Sequence, residues 1–316
     1  PQDGRAAVQT REHSLDLRIS TLPTIYGEKV VIRLLDKNSQ LLNEDRLGLS
    51  GEDLEKYHAL LKHPSGVVLL AGPTGSGKSS TMYTMIRRLN TDAVNIMTLE
   101  DPVEYNIEGV NQTQINEKTG MTFANGLRSI LRQDPDIISV GEIRDGETAE
   151  IAMRAAITGH LVFSTVHTNS ALTTIDRLRD IGVPDYLIAS ALNGVISQRL
   201  VRRICPECRE EYTPSEQDLA DVGMTAAAGR KFYRGCGCSN CFGTGYRDRV
   251  GVFEILVMNR RLRAAVSRGA QMDELQKILD EEGSFVSLEE NSQRLISEGI
   301  TTIDEVRRII SSAALE

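Results

Sequence analysis

The sequence contains no tryptophan, and aromatic residues make up only 4% of its 316 positions. Basic residues are outnumbered, with 36 lysines and arginines against 44 aspartates and glutamates and a formal charge of −8. Proteins that track nucleic-acid backbones combine a basic surface with stacking aromatics. This chain has neither in bulk, so nucleic acid is not the expected partner unless a local basic groove supplies what the composition lacks. Long apolar runs are missing too: the longest, at 66–72 and 161–166, fall far short of the roughly 18 residues of a spanning helix. The N-terminus lacks the basic-then-apolar pattern of a secretory leader. The expectation is therefore a cytoplasmic chain without direct membrane insertion. Cysteine is confined to Cys205, Cys208, Cys236, Cys238 and Cys241. The chain length excludes a small disulfide-framework protein, and such clustering suggests a bound metal more than disulfides.

What is present is ordinary for a globular chain, with 40% hydrophobic and 25% charged residues, and the length suits about two domains. Residues 5–35 read as three strands, which bury too little to stand alone. Residues 1–35 are accordingly expected to be the remainder of a larger N-terminal domain. The stretch 36–50 lacks periodicity, carries Asn, Asp, Gly and Ser, and reads as a linker. Ser50 is expected to cap a helix with Leu54, Tyr57, Leu60 and Leu61 at helical spacing. Across 51–203, apolar runs at 67–70, 95–99, 136–140 and 161–166 alternate with helical stretches near 78–90, 121–132, 146–158 and 170–182. That alternation predicts an α/β core, a mostly parallel sheet with helices on both faces. Residues 204–253, rich in Cys, Gly and Arg, read as a metal-binding insert, and 254–316 as a helical C-terminal region.

The strongest chemical signal is Gly72-Pro73-Thr74-Gly75-Ser76-Gly77-Lys78-Ser79, followed by Ser80, a full GxxxxGK[ST] match between a strand and a helix. Glycines let the backbone approach an anion, and the helix N-terminus aims its N–H groups at one point. Lys78 would reach the β and γ phosphates of ATP, and the Ser79 hydroxyl would ligate Mg²⁺. Such a loop also needs a carboxylate near the metal and a base that aims water at the γ phosphate. Glu142 follows the run Asp136–Val140, with Gly141 in the usual Walker B aspartate slot, so Glu142 is assigned to the metal. Glu100, Asp101 and Glu104 follow another strand; Glu100 lies nearest and is the candidate base, with a solvated acidic loop as the alternative. His160 opens a third strand and His167 closes it, so only His167 is expected in the crevice, as a γ-phosphate contact or as a structural histidine.

In this order, GPTGSGKSS, LEDPVEY, ILRQDPDIISVGEIRD and GHLVFSTVHTNSA resemble the Walker A, Asp box, Walker B and His box of the secretion ATPase superfamily. The chain is most similar to the type II secretion and type IV pilus assembly ATPases, and the resemblance runs from QDGR at the front to GITTIDEV near the end. It implies a RecA-like core and a homohexameric ring. It also implies an ATP-hydrolysing motor that drives pilin or pseudopilin subunits out of the inner membrane, working with platform and docking proteins there. A RecA-like nucleic-acid translocase shares the P-loop, and a non-hydrolysing assembly protein would use nucleotide only to fix its conformation.

Cys205-Pro-Glu-Cys208 and Cys238-Ser-Asn-Cys241 are two CxxC knuckles with the composition of a four-thiolate Zn²⁺ site. Cys236 competes as a fifth thiolate. The resemblance associates such an insert with assembly motors more than with retraction motors. A P-loop motor also gains from a cation supplied by a neighbouring subunit. Arg5, Arg18 and Arg33 lie on the front strands, and Arg128 and Arg132 are one helical turn apart. The resemblance implies Arg5 and Arg18 as the pair acting in trans, with Arg128 and Arg132 at the subunit interface.

Overall fold

Alternation of apolar and polar residues along the first residues makes strands, and they pair with their sequence neighbours. In the computed structural model, which describes residues 1–9, 14–36, 43–225 and 230–313, β1 (Gln2–Gln9), β2 (Ser14–Thr24) and β3 (Gly27–Asp36) form an antiparallel sheet of their own. The register sets Arg5 opposite Arg18 and Arg18 opposite Arg33, so the three guanidinium groups start from one face in a row. The other face carries Val8, Val30, Ile32 and Leu34, all exposed. Residues 37–42 of the expected linker lie outside the described residues. Its remainder is tied to the core: Glu44 pairs with His58 and Arg88, and the Gly251 N–H donates to the Leu47 carbonyl at 3.0 Å.

The main body is a seven-stranded sheet. Its strands are β4 (Gly66–Ala71), β5 (Ile96–Glu100), β6 (Asn111–Gln114), β7 (Ile137–Val140), β8 (Leu161–Val166), β9 (Leu192–Ile204) and the later Tyr246–Val257. A small two-stranded sheet, β10 (Arg209–Tyr212) with β11 (Phe232–Gly235), lies between β9 and that last strand, which is β12. The order across the main sheet is β12-β9-β4-β8-β7-β5-β6, with every pairing parallel except β12 against β9. This is the α/β, mostly parallel architecture that the strand–helix alternation predicts. β12 begins inside the stretch 204–253, so the sheet reaches past 203 and encloses the cysteine-rich residues as an excursion between β9 and β12, the two strands at one edge.

Eleven helices occur among the described residues. They are α1 (Gly51–Leu61), α2 (Lys78–Leu89), α3 (Phe123–Ile130), α4 (Gly146–Ile157), α5 (Ala171–Asp180), α6 (Asp185–Ala191), α7 (Glu216–Ala220), α8 (Arg260–Ser267), α9 (Met272–Glu282), α10 (Leu288–Ser297) and α11 (Ile303–Ala313). β4 shows why both faces need cover. Val67, Leu69 and Ala71 enter one core with Leu99, Ile138 and Val162, under α3, α4, α5 and α6. Val68 and Leu70 enter the other with Phe163, Ile96 and Ile196, under α1 and α2 through Tyr57, Leu60, Met85 and Ile86. A strand buried on both faces reads as a continuous apolar run.

Local signals set the helix starts. Asp145 accepts from the Thr148 N–H at 2.8 Å, Thr122 accepts from Asn125, and Ser170 forms a reciprocal pair with Thr173. Ser50 stands at the N-cap of α1 as expected, but it makes no capping hydrogen bond; its hydroxyl accepts from Arg294 on α10 instead. The cap site is thus given over to a tertiary contact. The cysteine-rich excursion packs on the last two helices through Leu219, Val222, Phe232, Ile296, Ile303 and Val306.

Leu69 is fully buried in the central strand, so Leu69→Ala removes apolar contacts and leaves a cavity in the first core. We expect a loss of about 2–5 kcal/mol in denaturant unfolding with little change in its slope.

Candidate functional site: a phosphate-loop cleft at the strand ends

Parallel strands place their carboxyl ends on one side of a sheet, and ligands bind in the crevice outside them. Here the ends of β4, β5, β7 and β8 open on a cleft of about 450 Å³ that gathers Lys78, Ser79, Glu100, Glu142 and His167. Five of the residues singled out from sequence therefore meet in one place.

The loop between β4 and α2 owes its shape to its glycines. Gly75 and Gly77 have φ of 80° and 90°, a region costly for residues with a Cβ. A Cβ on Gly77 would also meet the Gln198 amide at 2.7 Å, and one on Gly72 would meet the Gln198 carbonyl at 2.5 Å. Thr74, Gly75, Gly77, Lys78, Ser79 and Ser80 line the cleft. Pro73 contributes its carbonyl to Lys78, and Ser76 is buried beneath the loop. The Lys78 ammonium donates to the carbonyls of Gly72 at 2.6 Å and Pro73 at 3.0 Å. Burial lowers its pKa to about 8, offset in part by Glu142 and reinforced by Arg199.

Glu100 ends β5 with its side chain buried. Thr98 Oγ1 donates to Oε1 at 2.6 Å, Gln112 Nε2 to the same oxygen at 2.9 Å, and the Tyr83 hydroxyl to Oε2. Asp101 and Glu104 also line the cleft. Burial raises the Glu104 pKa, opposed by Arg18. Glu142, beyond β7, accepts from Arg144 and faces His167 Nε2 at 3.5 Å. Burial and the Lys78 charge lower the His167 pKa, with Glu142 acting against them. The Gly141 N–H donates to the Leu99 carbonyl at 2.7 Å, and a Cβ there would sit 3.1 Å from that oxygen. The slot is therefore tight, and Glu142, the next residue, is the carboxylate after β7 that lines the cleft.

The other candidates do not line the cleft, and of them Arg18 is near enough to Glu104 to oppose the rise in its pKa. His160, at the opposite end of β8, has Nδ1 2.8 Å from the Ala155 carbonyl. Arg5, Arg18 and Arg33 line a separate hollow on the N-terminal sheet with Asp3 and Ser20. Arg128 pairs with Glu147 at 2.6 Å, and Arg132 folds back on the Arg128 carbonyl at 2.7 Å; neither lines the cleft. Tyr83, Gln112, Gln198 and Arg144 escape the sequence reading. Thr98, two residues before Glu100 and so on the same face of β5, was within its reach.

Cys205, Cys208, Cys238 and Cys241 bring their sulfurs within 4.8 Å of one another. Sulfur–sulfur distances of 3.8, 3.8 and 3.7 Å match the edge of a tetrahedron about 3.8 Å long that four Zn–S bonds of about 2.3 Å imply. N–H groups of Cys238 and Gly245 point at the Cys241 sulfur at 3.1 and 3.3 Å. The Cys236 side chain is exposed and stands outside this group.

Comparison with known proteins agrees with the fold. Residues 1–308 match the family described as "Type II/IV secretion system protein". The chain is 48% identical over its whole length to the "Type II secretion system protein E" of Klebsiella pneumoniae, spanning 63% of that protein. It is 47% identical over 97% of its length to the "Type IV pilus assembly ATPase PilB" of Thermus thermophilus, of which it spans 34%. Among solved structures, the pilus retraction motor PilT with bound ADP superposes with a TM-score of 0.69 at 29% identity, covering 97% of this chain and 77% of that one. The fold agrees with these matches, and the chain belongs to the type II/IV secretion system protein family.

Proposed function

We propose that this chain is the motor portion of a hexameric ATPase that powers pilin or pseudopilin assembly at the inner membrane, for type IV pilus assembly or type II secretion. The observation that carries the reading is the meeting of Lys78, Glu100 and Glu142 across one cleft at the strand ends. ATP would lie with its phosphates on the loop 72–80 and its β and γ phosphates against Lys78. Glu100 would take a proton from the attacking water, and His167 would contact the γ phosphate. Ser79 and Glu142 would hold Mg²⁺, which offsets phosphate charge when bound. The Arg5 and Arg18 row would supply cations to a neighbouring subunit's γ phosphate, with Arg128 and Arg132 near the interface. No helix among the described residues is long and apolar enough to cross a membrane; contact with the inner membrane would run through platform and docking proteins.

The four-sulfur group would hold one Zn²⁺ per chain, a structural ion that closes the excursion between β9 and β12. Its place supports that role: the Cys205 N–H donates to the Gly245 carbonyl at 3.0 Å, and Arg202 stacks on Tyr246 at 3.9 Å while pairing with Glu305 of α11 at 2.7 Å. An excursion of this size has little core of its own.

Two measurements test these assignments. Phosphate release by Glu100→Gln is expected to fall by about 10²–10⁴-fold while ATP affinity stays within about threefold, because a base acts only in the transition state. Lys78→Ala should lose affinity as well, and parental turnover by Glu100→Gln would refute the base. Elemental analysis of reduced protein should find one zinc per chain, and chelation should raise amide exchange across 205–245 while the main sheet stays protected. Absence of stoichiometric metal would refute the second.

A further inference from the structure

Glu100 offers a buried carboxylate to three protein donors. A carboxylate has about four acceptor positions, two on each oxygen. Thr98 and Gln112 take both positions on Oε1, and the Tyr83 hydroxyl takes one on Oε2. One acceptor direction is left for a water, and it belongs to the oxygen that Tyr83 holds.

Tyr83 is well placed to set that direction. It lies on α2, the helix that begins at Lys78 and carries Ser79, and it lines the same cleft. Its hydroxyl also accepts from the N–H groups of Glu104 at 3.0 Å and Tyr105 at 3.4 Å. A single oxygen therefore joins the phosphate-binding helix, the end of β5 and the acidic loop after it. Tyr105 packs edge-on to the ring, with centroids 5.2 Å apart at 77°, which restrains it further. Burial, with Glu100 beside it, raises the phenol's pKa and keeps it a donor.

The geometry points to Tyr83 as the positioning residue that aims the one open acceptor of Glu100 relative to the phosphate loop; this rests on the reading of Glu100 as the base. Thr98 serves the same end from the other oxygen. Loss of either hydroxyl frees a second acceptor direction and lets the carboxylate turn, without removing any group that would touch ATP.

The test is a double-mutant cycle on the full chain, reading phosphate release and binding of a fluorescent ATP analogue. Tyr83→Phe is expected to lower kcat about tenfold or more with KM and analogue affinity within about twofold. In the Glu100→Gln background the same substitution should change the residual rate by less than about twofold, because the group it aims is gone. Equal fold losses in both backgrounds, or parental kcat in Tyr83→Phe, would overturn the inference. Should Tyr83→Phe fail to fold, Thr98→Val carries the same cycle with the same expected and contrary results. Parental turnover in Glu100→Gln would overturn the base reading and this inference with it. An inactive Glu100→Gln beside a fully active Tyr83→Phe overturns the inference alone.

Discussion

The site depends on one buried cation. Lys78 is 8% exposed, and its ammonium meets two backbone carbonyls of its own loop at 2.6 and 3.0 Å. An ammonium so placed is costly to bury and gains from nearby anionic oxygen. Glu142 supplies some of that from across the cleft, whereas Arg199 adds to the repulsion. A phosphate chain on the same loop would exchange the two carbonyls for stronger charged acceptors. The loop is therefore a site whose own electrostatics call for an anion.

The scaffold explains why that call is answered at one point. β4 is covered on both faces, so its register against β8 and β9 is fixed, and with it the height at which the loop leaves the sheet. Gln198 on β9 completes the support: it accepts from Thr81 at 2.7 Å and stands where a Cβ on Gly77 would need to be. β9 in turn pairs with β12, and the buried Glu254 of β12 accepts from the Ala171 N–H at 2.7 Å and the Leu288 N–H at 3.2 Å, at the starts of α5 and α10. The phosphate loop is thereby linked through two strands to the C-terminal helices, on which the four-cysteine excursion packs.

Much of this was legible in the sequence, and for physical reasons. Strands β4, β5, β7 and β8 lie inside the sheet and announce themselves as short apolar runs, and the Gly-rich loop needs its residues at fixed spacing. β6 reads Asn-Gln-Thr-Gln, a polar edge strand with no apolar run to find. β9 carries Asn193 buried near its start and Gln198 and Arg199 buried in mid-strand, which breaks the pattern, and its partner β12 follows only after the intervening excursion. The spacing Cys205, Cys208, Cys238 and Cys241 was visible at once, while the choice against Cys236 needed coordinates. Glu100 and Glu142 could be named from strand ends, but the donors that hold Glu100 could not: Tyr83 and Gln112 come from a separate helix and strand, and only tertiary packing joins them.

On this reading the loop 72–80 and the ends of β5, β7 and β8 form one nucleotide site. A crystal structure with Mg²⁺ and a non-hydrolysable ATP analogue tests it most directly. In that structure Lys78 should leave the Gly72 and Pro73 carbonyls for the β and γ phosphates. Ser79 should then meet the metal, and one Glu100 oxygen should lie within a single water of the γ phosphorus. A nucleotide bound elsewhere, or a γ phosphate with Glu100 turned away and another carboxylate in its place, would contradict it.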